Sequence, residues 1–312
     1  MSPENESIIT EFMLEGLTTD PDLQVLLFIL FILIYALTLS SNMSILMIIC
    51  MDPCLHTPMY FFLGSLAVLD FGFSSTSSPK MVVDMLAERK AISFSGCLIQ
   101  LFFYAGFGST EFFLLAVMAY DRYVAICNPL LYTLIMTKSL TFHLVAVSYF
   151  GGFLNSLIHA GFFLQLSFCG PNIIDHFMCD YPVLLKLSCT DFTINELLRI
   201  LCASFVMLIS LLIVVISYVY ILVAVLRIRT SAGRHRAFST CISHFICVFL
   251  FYGTVLFTEL RPNSSTSHEQ DKVVAVFSTV VIPVLNPLIY SLRNQDMKEA
   301  FKKILSQAMF FQ

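Results

Sequence analysis

Two acidic side chains, Asp70 and Glu111, stand near the middle of long apolar runs, where an ionised carboxylate costs several kcal/mol unless it is paired or neutralised. If both face one interior they cannot both ionise without a cation. They either share a proton or hold a sodium ion, with Asn42 and Asn286 as further ligands; two independently protonated carboxyls, hydrogen-bonded to neighbouring helices, are the competing reading. Asp121-Arg122-Tyr123 lies at the end of an apolar run, where an Asp can neutralise an always-charged Arg until a partner arrives. The plainer alternative is a boundary pair with a snorkelling Arg. Pro283 and Pro287 bracket Asn286, and each removes a helix hydrogen bond, which makes a hinge or a static kink. His176-Phe-Met-Cys179-Asp180 has the spacing of a transition-metal site, but a defined site needs three well-placed ligands. No nucleophile stands with a base at a workable spacing, so the expectation is a protein that is not an enzyme.

These groups are carried by a chain of unusual composition. Of 312 residues 58% are apolar and 12% charged, against roughly 45–50% and 25% in soluble domains. So little charge cannot clothe a water-facing body, and the same balance argues against disorder; a net charge of -4 argues against a nucleic-acid binder. A bilayer core of about 30 Å takes roughly 20 apolar helical residues. Seven such runs occur, Leu23–Cys50, Pro58–Pro79, Cys97–Ile126, Leu140–Leu166, Leu197–Leu226, Ala237–Leu260 and Val273–Leu292. They are continuous rather than alternating, so they are helices and not barrel strands. The expected fold is an all-α membrane protein, a seven-transmembrane helix bundle, with an N-terminal segment 1–22, a seven-span body 23–292 and a tail 293–312.

Arg122, Lys138, Arg227, Arg229, Arg234, Arg236, Arg293, Lys298, Lys302 and Lys303 collect on one side against Asp52, Asp121, Asp296 and Glu299, while the first 22 residues are acidic with no base. The positive-inside rule then puts the N-terminus outside and the C-terminus in the cytosol of a multi-pass membrane protein. No removable signal peptide is expected, because the first 22 residues lack a basic leader and a short apolar stretch. Asn5-Glu6-Ser7 is a glycosylation sequon on the outer face, with Asn263-Ser264-Ser265 a second, closer to the bilayer. Cys97, Cys169, Cys179 and Cys189 lie on that oxidising side and allow three pairings. The other six cysteines read as core packing. Met297, Ala300, Phe301, Ile304 and Leu305, flanked by Lys298, Lys302 and Lys303, form a short amphipathic C-terminal helix suited to an anionic leaflet. The tail offers one hydroxyl, Ser306, and no cysteine, so it is not expected to be switched by phosphate or lipid.

Helical spacing groups Tyr104 with Gly108, Cys202 with Val206, and Tyr252 with Val255 and Glu259 in the outer halves of the third, fifth and sixth runs. With Ser109 and Thr279 as polar anchors they outline a mainly apolar pocket for a small hydrophobic molecule bearing about one oxygen. Several of these residues would equally serve as interhelical packing. Glu259 is expected to pair with Arg261 or Lys272 at the rim rather than meet a ligand. Arg227, Arg229, Arg234, His235 and Arg236 make a basic loop of about ten residues, which as a plain leaflet anchor obeys the positive-inside rule.

LHTPMY (Leu55–Tyr60), MAYDRYVAIC (Met118–Cys127), Ser217-Tyr218, RAFSTCISH (Arg236–His244) and PVLNPLIY (Pro283–Tyr290) follow one another on five segments. Together they resemble an odorant receptor, a rhodopsin-like G-protein-coupled receptor, over nearly the whole chain. Ser41 stands where that family usually has Gly, and Arg236 where it usually has Lys; the chain has no Trp, and Phe251-Tyr252-Gly253 occupies the stretch where other rhodopsin-like receptors carry one. The resemblance implies a volatile odorant as ligand and an olfactory-type stimulatory G protein raising cyclic AMP. For coupling and activation it implies Asp121, Arg122, Tyr123, Tyr218, Arg236, His244, Asn286, Pro287 and Tyr290, with Arg122 freed on activation. It also implies sodium at Asp70 as an allosteric modulator with no required cofactor, and disulfides Cys97–Cys179 and Cys169–Cys189, the first forming a pocket lid. A same-fold receptor used outside the olfactory epithelium is the nearest alternative. An ion-coupled transporter or channel using Asp70 and Glu111 is more distant, for lack of an internal repeat.

Overall fold

The structure, a computed structural model, describes residues 10–169, 171–190, 193–259 and 267–310, with the backbone alone at 232, 236, 237, 239, 240, 259, 267, 268, 292, 293, 305 and 307–310. Seven helical segments are long and apolar enough to cross a membrane. They are α1 (Pro21–Met51), α2 (Pro58–Leu86), α3 (Phe94–Cys127), then, after the short α4 (Tyr132–Ile135), α5 (Lys138–Phe163). A short α6 (Tyr181–Lys186) precedes α7 (Thr193–Arg227) and α8 (Ser231–Glu259), and the last span joins α9 (Ser267–Val276) through a π-helical turn, Phe277–Val281, to α10 (Ile282–Arg293). The amphipathic α11 (Gln295–Phe310) closes the chain.

Helix starts are chemically marked. Asp20 accepts from the N–H groups of Asp22 and Leu23 ahead of Pro21 at the first turn of α1, Ser93 accepts from Gly96 N–H at α3, and Thr137 from Leu140 N–H at α5. Most helices run beyond the apolar windows, because the charged turns at their ends reach past the hydrocarbon and carry no apolar signal. Thus α2 continues through Pro79 to Leu86, and the expected basic loop shrinks to Ile228–Thr230, with Arg234 and His235 already on α8.

The bundle is wrapped in apolar side chains. Leu26 and Leu33 on α1, Phe150 on α5 and Phe249 on α8 are each more than 60% exposed, which in water would be an untenable surface and in lipid is the expected one. Half of the span residues in α2, α3 and the last span are buried, but only 11% in α1, so α3 is a central column and α1 a peripheral one. Close approach of α3 to α5 depends on Gly152, where a Cβ would sit 2.6 Å from the Thr110 backbone nitrogen.

The fold is not wholly α. The N-terminal segment supplies β1 (Glu11–Leu14), the centre of a three-stranded sheet, antiparallel to β2 (Ala91–Ser93) and parallel to β3 (Ile173–Ile174). Phe12 and Leu14 point inward and join Phe94, Phe163 and Phe168 in a second core, separate from that of the bundle, around the Cys97–Cys179 disulfide. This sheet and the helix ends around it are the N-terminal face; the opposite end, carrying Arg122 and α11, is the C-terminal face. A three- or four-residue strand gives too short an alternation to stand out in a sequence.

Candidate functional site

Three groups of polar residues lie along the axis of the bundle. The middle one joins α1, α2, α3 and the last span. The Asn286 amide donates to both Asp70 carboxylate oxygens, at 3.1 and 3.2 Å, and interacts with Glu111 as well. Asn42 donates to the Thr38 and Pro283 carbonyls, each at 3.0 Å, and so ties α1 to α10. All four side chains are at most 2% exposed. Asn42 Oδ1, Glu111 Oε1 and Asn286 Oδ1 are buried with no hydrogen-bond donor, and each such atom costs about 1–3 kcal/mol if left so. A set of buried acceptor oxygens, two of them carboxylates, fits a small hard cation or protons on the carboxyls. Of the four residues that the sequence brought forward as a set, Asp70, Glu111 and Asn286 come together, while the Asn42 amide is bonded to the Thr38 and Pro283 carbonyls.

On the C-terminal face Asp121 and Arg122 are buried. Asp121 accepts a hydrogen bond from the Tyr132 hydroxyl of α4 at 2.8 Å. Burial, then the Asp121 charge, holds the Tyr132 phenol above its ordinary range, so it remains a donor. Tyr218 of α7 and His244 of α8 are linked at 2.7 Å, and His244 Nε2 lies 3.1 Å from the Leu115 carbonyl of α3. A carbonyl only accepts, so Nε2 carries the imidazole proton and Nδ1 accepts from Tyr218. Three helices are thereby laced together beside Arg122, whose charge reaches Tyr218, His244 and Tyr290. The Tyr290 hydroxyl is buried beside the Cys247 thiol without a hydrogen bond of normal geometry, and Pro287 lies inside α10. Tyr123 stands apart, packed on Ile221, Val225 and Cys241. The Arg236 side chain lies outside the described residues.

α11 is held to this face by two contacts. Tyr60 donates to Asp296 at 2.9 Å and to Asn294 at 3.1 Å, and Lys303 pairs with Asp52 at 3.4 Å. The Asp52 carboxyl is kept below its ordinary range first by the Cys54 backbone N–H and then by Lys303.

Toward the N-terminal face the proposed pocket residues separate. Tyr104 stacks on Phe73 at 5.2 Å, Gly108 lies against the same Phe73 ring, Val206 is buried and Val255 packs on the main core. Cys202 is half-buried. Ser109 accepts a hydrogen bond from Asn155 of α5 at 2.9 Å and Thr279 donates to its own helix at Ala275, so both hydroxyls are engaged. Tyr252 is different. Its ring makes edge contacts with Phe112 and Phe251 at 5.2 and 5.8 Å, and its hydroxyl is buried beside Ser210 without a hydrogen bond of normal geometry. The Glu259 side chain and Arg261 lie outside the described residues, and the Lys272 ammonium pairs instead with Asp175. The lid loop lies across this end, Cys97 joined to Cys179 and Cys169 to Cys189, with Phe177 and Met178 buried beneath it and Cys179 N–H donating to Gln100. Among the described residues no three potential ligands gather to hold a transition metal, and His176 Nδ1 accepts from Met178 N–H at 3.3 Å. Asn5 lies outside the described residues.

Sequence reasoning passed over Phe112, Tyr132, Tyr60, Phe177 and Met178. Phe112 follows Glu111 directly, and the Phe-Met pair precedes Cys179, but aromatic and Met residues are too common in this chain for adjacency to single them out.

Seven spanning helices with a buried Asp121–Arg122 pair on one face and a disulfide-held loop on the other have the architecture of a receptor of the rhodopsin-like kind. The family model for the olfactory receptor matches residues 31–308. Similar proteins include olfactory receptor 5AP2 of Mus musculus, 55% identical over 97% of this chain and 95% of that one. Olfactory receptor 5AP2 of Homo sapiens is 54% identical over 96% and 95%, and human olfactory receptor 5I1 is 50% identical over 96% of each. The chain belongs to the olfactory receptor family, and is an odorant-binding G-protein-coupled receptor. That family is one of receptors rather than enzymes.

Proposed function

We propose that this receptor binds small, mainly hydrophobic volatiles bearing one oxygen, and passes the signal to an olfactory-type stimulatory G protein that raises cyclic AMP. The observation that carries the ligand class is the buried Tyr252 hydroxyl, beside Ser210 but without a hydrogen bond of normal geometry, its ring set against Phe112 and Phe251. A ligand oxygen meeting it relieves a buried unsatisfied group, while the aromatic walls take the hydrocarbon. Tyr104, Gly108, Cys202, Val206 and, nearer the rim, Glu259 complete the pocket. Ser109 and Thr279 shape it from behind, since their hydroxyls are engaged elsewhere.

The N-terminal face is extracellular and the C-terminal face cytosolic, at the plasma membrane, following the distribution of Lys and Arg. Ligand binding favours the conformation in which the Tyr218–His244–Leu115 lacing opens and Arg122 leaves Asp121 to face the G protein; a ligand that bound both conformations equally would not signal. Asp121, Tyr123, Arg236, Asn286, Pro287 and Tyr290 act with it. Asp70, Glu111, Asn42 and Asn286 would hold a sodium ion in the resting state, whose positive charge would meet their unpaired oxygens. Asn5 carries the glycan.

Cyclic AMP measured across a panel of volatiles, in cells expressing the chain with the olfactory G protein, tests this reading. Oxygen-bearing ligands should be preferred, and Tyr252→Phe should weaken their potency about tenfold, the worth of one neutral hydrogen bond, with surface staining unchanged. Equal potency in the variant would remove Tyr252 from the site.

A further inference from the structure

A groove of about 380 Å³ runs between α2 and α3 on the N-terminal half of the bundle, away from the odorant pocket. One wall is Gly72, Ser75, Thr76 and Lys80 on α2; the other is Gly96, Ile99, Gln100, Phe103 and Phe107 on α3. Each set keeps to one helix face by its spacing of three and four residues. Ile99 and Phe103 are 57% and 41% exposed, so the groove opens to the hydrocarbon of the membrane and not to the bundle axis.

Its two ends differ. The deep end is Gly72, Phe103 and Phe107, wholly apolar, with the Phe107 ring filling the space where a Gly72 side chain would stand. The end nearer the N-terminal face holds Ser75, Thr76, Lys80 and Gln100. Ser75 is bonded to the Tyr35 hydroxyl, Thr76 donates to the Gly72 carbonyl and Gln100 donates to the Thr76 carbonyl. Lys80 pairs with Asp84, so the polar end carries no uncompensated charge. The Thr76 oxygen can still accept, and Lys80 has further N–H groups to donate. Ile92 of β2 lines this end, its side chain against Gly96. From Gly96 to Phe107 the helix rises about 16 Å, comparable with the ring system of a sterol and the start of its tail.

We propose that this groove binds a membrane sterol, its hydroxyl between Thr76 and Lys80 and its rings over Ile99 and Phe103. A hydroxyl both donates and accepts, which matches the two groups offered, and an uncharged ligand matches the neutralised Lys80–Asp84 pair.

The test is photolabelling of the full-length receptor in cell membranes with a cholesterol analogue bearing a diazirine and an alkyne, followed by peptide mapping. Adducts should concentrate on residues 72–80 and 96–107, and excess cholesterol should reduce them at least fivefold. Phe103→Ala, which removes one exposed wall of the groove, and the isosteric Thr76→Val should each cut labelling there several-fold at equal surface expression. Labelling spread evenly over α1, α5 and α7, or no competition by cholesterol, would overturn the proposal on the unaltered protein alone. So would a diazirine-bearing phosphatidylcholine that labels the same peptides and is not displaced by cholesterol.

Discussion

Charge at single positions is managed by local pairing in this receptor, and the consequences are measurable residue by residue. Asp70 faces Glu111 in a setting where, among the described residues, no basic side chain neutralises them and several acceptor oxygens are unpaired. Replacing external sodium with a large organic cation should therefore shift odorant potency several-fold. Asp70→Asn should abolish that shift, and a persisting shift in dose–response curves would place sodium elsewhere. Glu15, outside the spans, behaves in the opposite sense to an ordinary surface acid. Lost hydration raises its pKa, the hydrogen bond to Asp175 and that residue's charge add to this, and Lys272 opposes it. A raised acid stabilises the fold fully below its unfolded value of about 4.5 and loses that contribution as pH rises through the folded value. Thermal melts of purified receptor should accordingly show a gain on acidification from about pH 7 toward 4.5 that is smaller in Glu15→Gln. Identical pH profiles would contradict the pairing.

Elements meet at a few close approaches, and these carry the next predictions. Gly152→Val should drive α5 from α3 at Thr110, an overpacking cost of about 1–3 kcal/mol, seen as lost surface expression and a lowered melting temperature. Phe12→Ala removes a fully buried ring from the lid core, worth about 3–5 kcal/mol in a well-packed site. It should unfasten the lid and reduce the odorant response, whereas Phe150→Ala on the lipid-facing side of α5 should change neither. The spans were legible in the sequence because a bilayer demands some twenty apolar residues from each, a signal no packing detail can erase. The lid sheet was not, since three or four residues of strand make no pattern, and its core exists only when β1, α3 and the loop bearing Cys179 come together. At the site, Asp70, Glu111 and Arg122 announced themselves by being ionisable in apolar surroundings. Tyr132 and Tyr252 did not, because a tyrosine's importance lies in what its hydroxyl meets or lacks, and that is decided by helix rotation.

For the molecule as a whole the account joins a lid and aromatic pocket at one end to a laced, closed face at the other, with the Asp70 cluster between them. The family supplies the receptor class. In the proposed mechanism, opening the Tyr218–His244 link and releasing Arg122 is the step on which signalling depends. The most direct test is odorant-evoked cyclic AMP in cells expressing Arg122→Ala beside the unaltered chain, matched for surface staining. The account predicts a response from the unaltered receptor and none from Arg122→Ala at equal surface level. An unchanged response in the variant would contradict it.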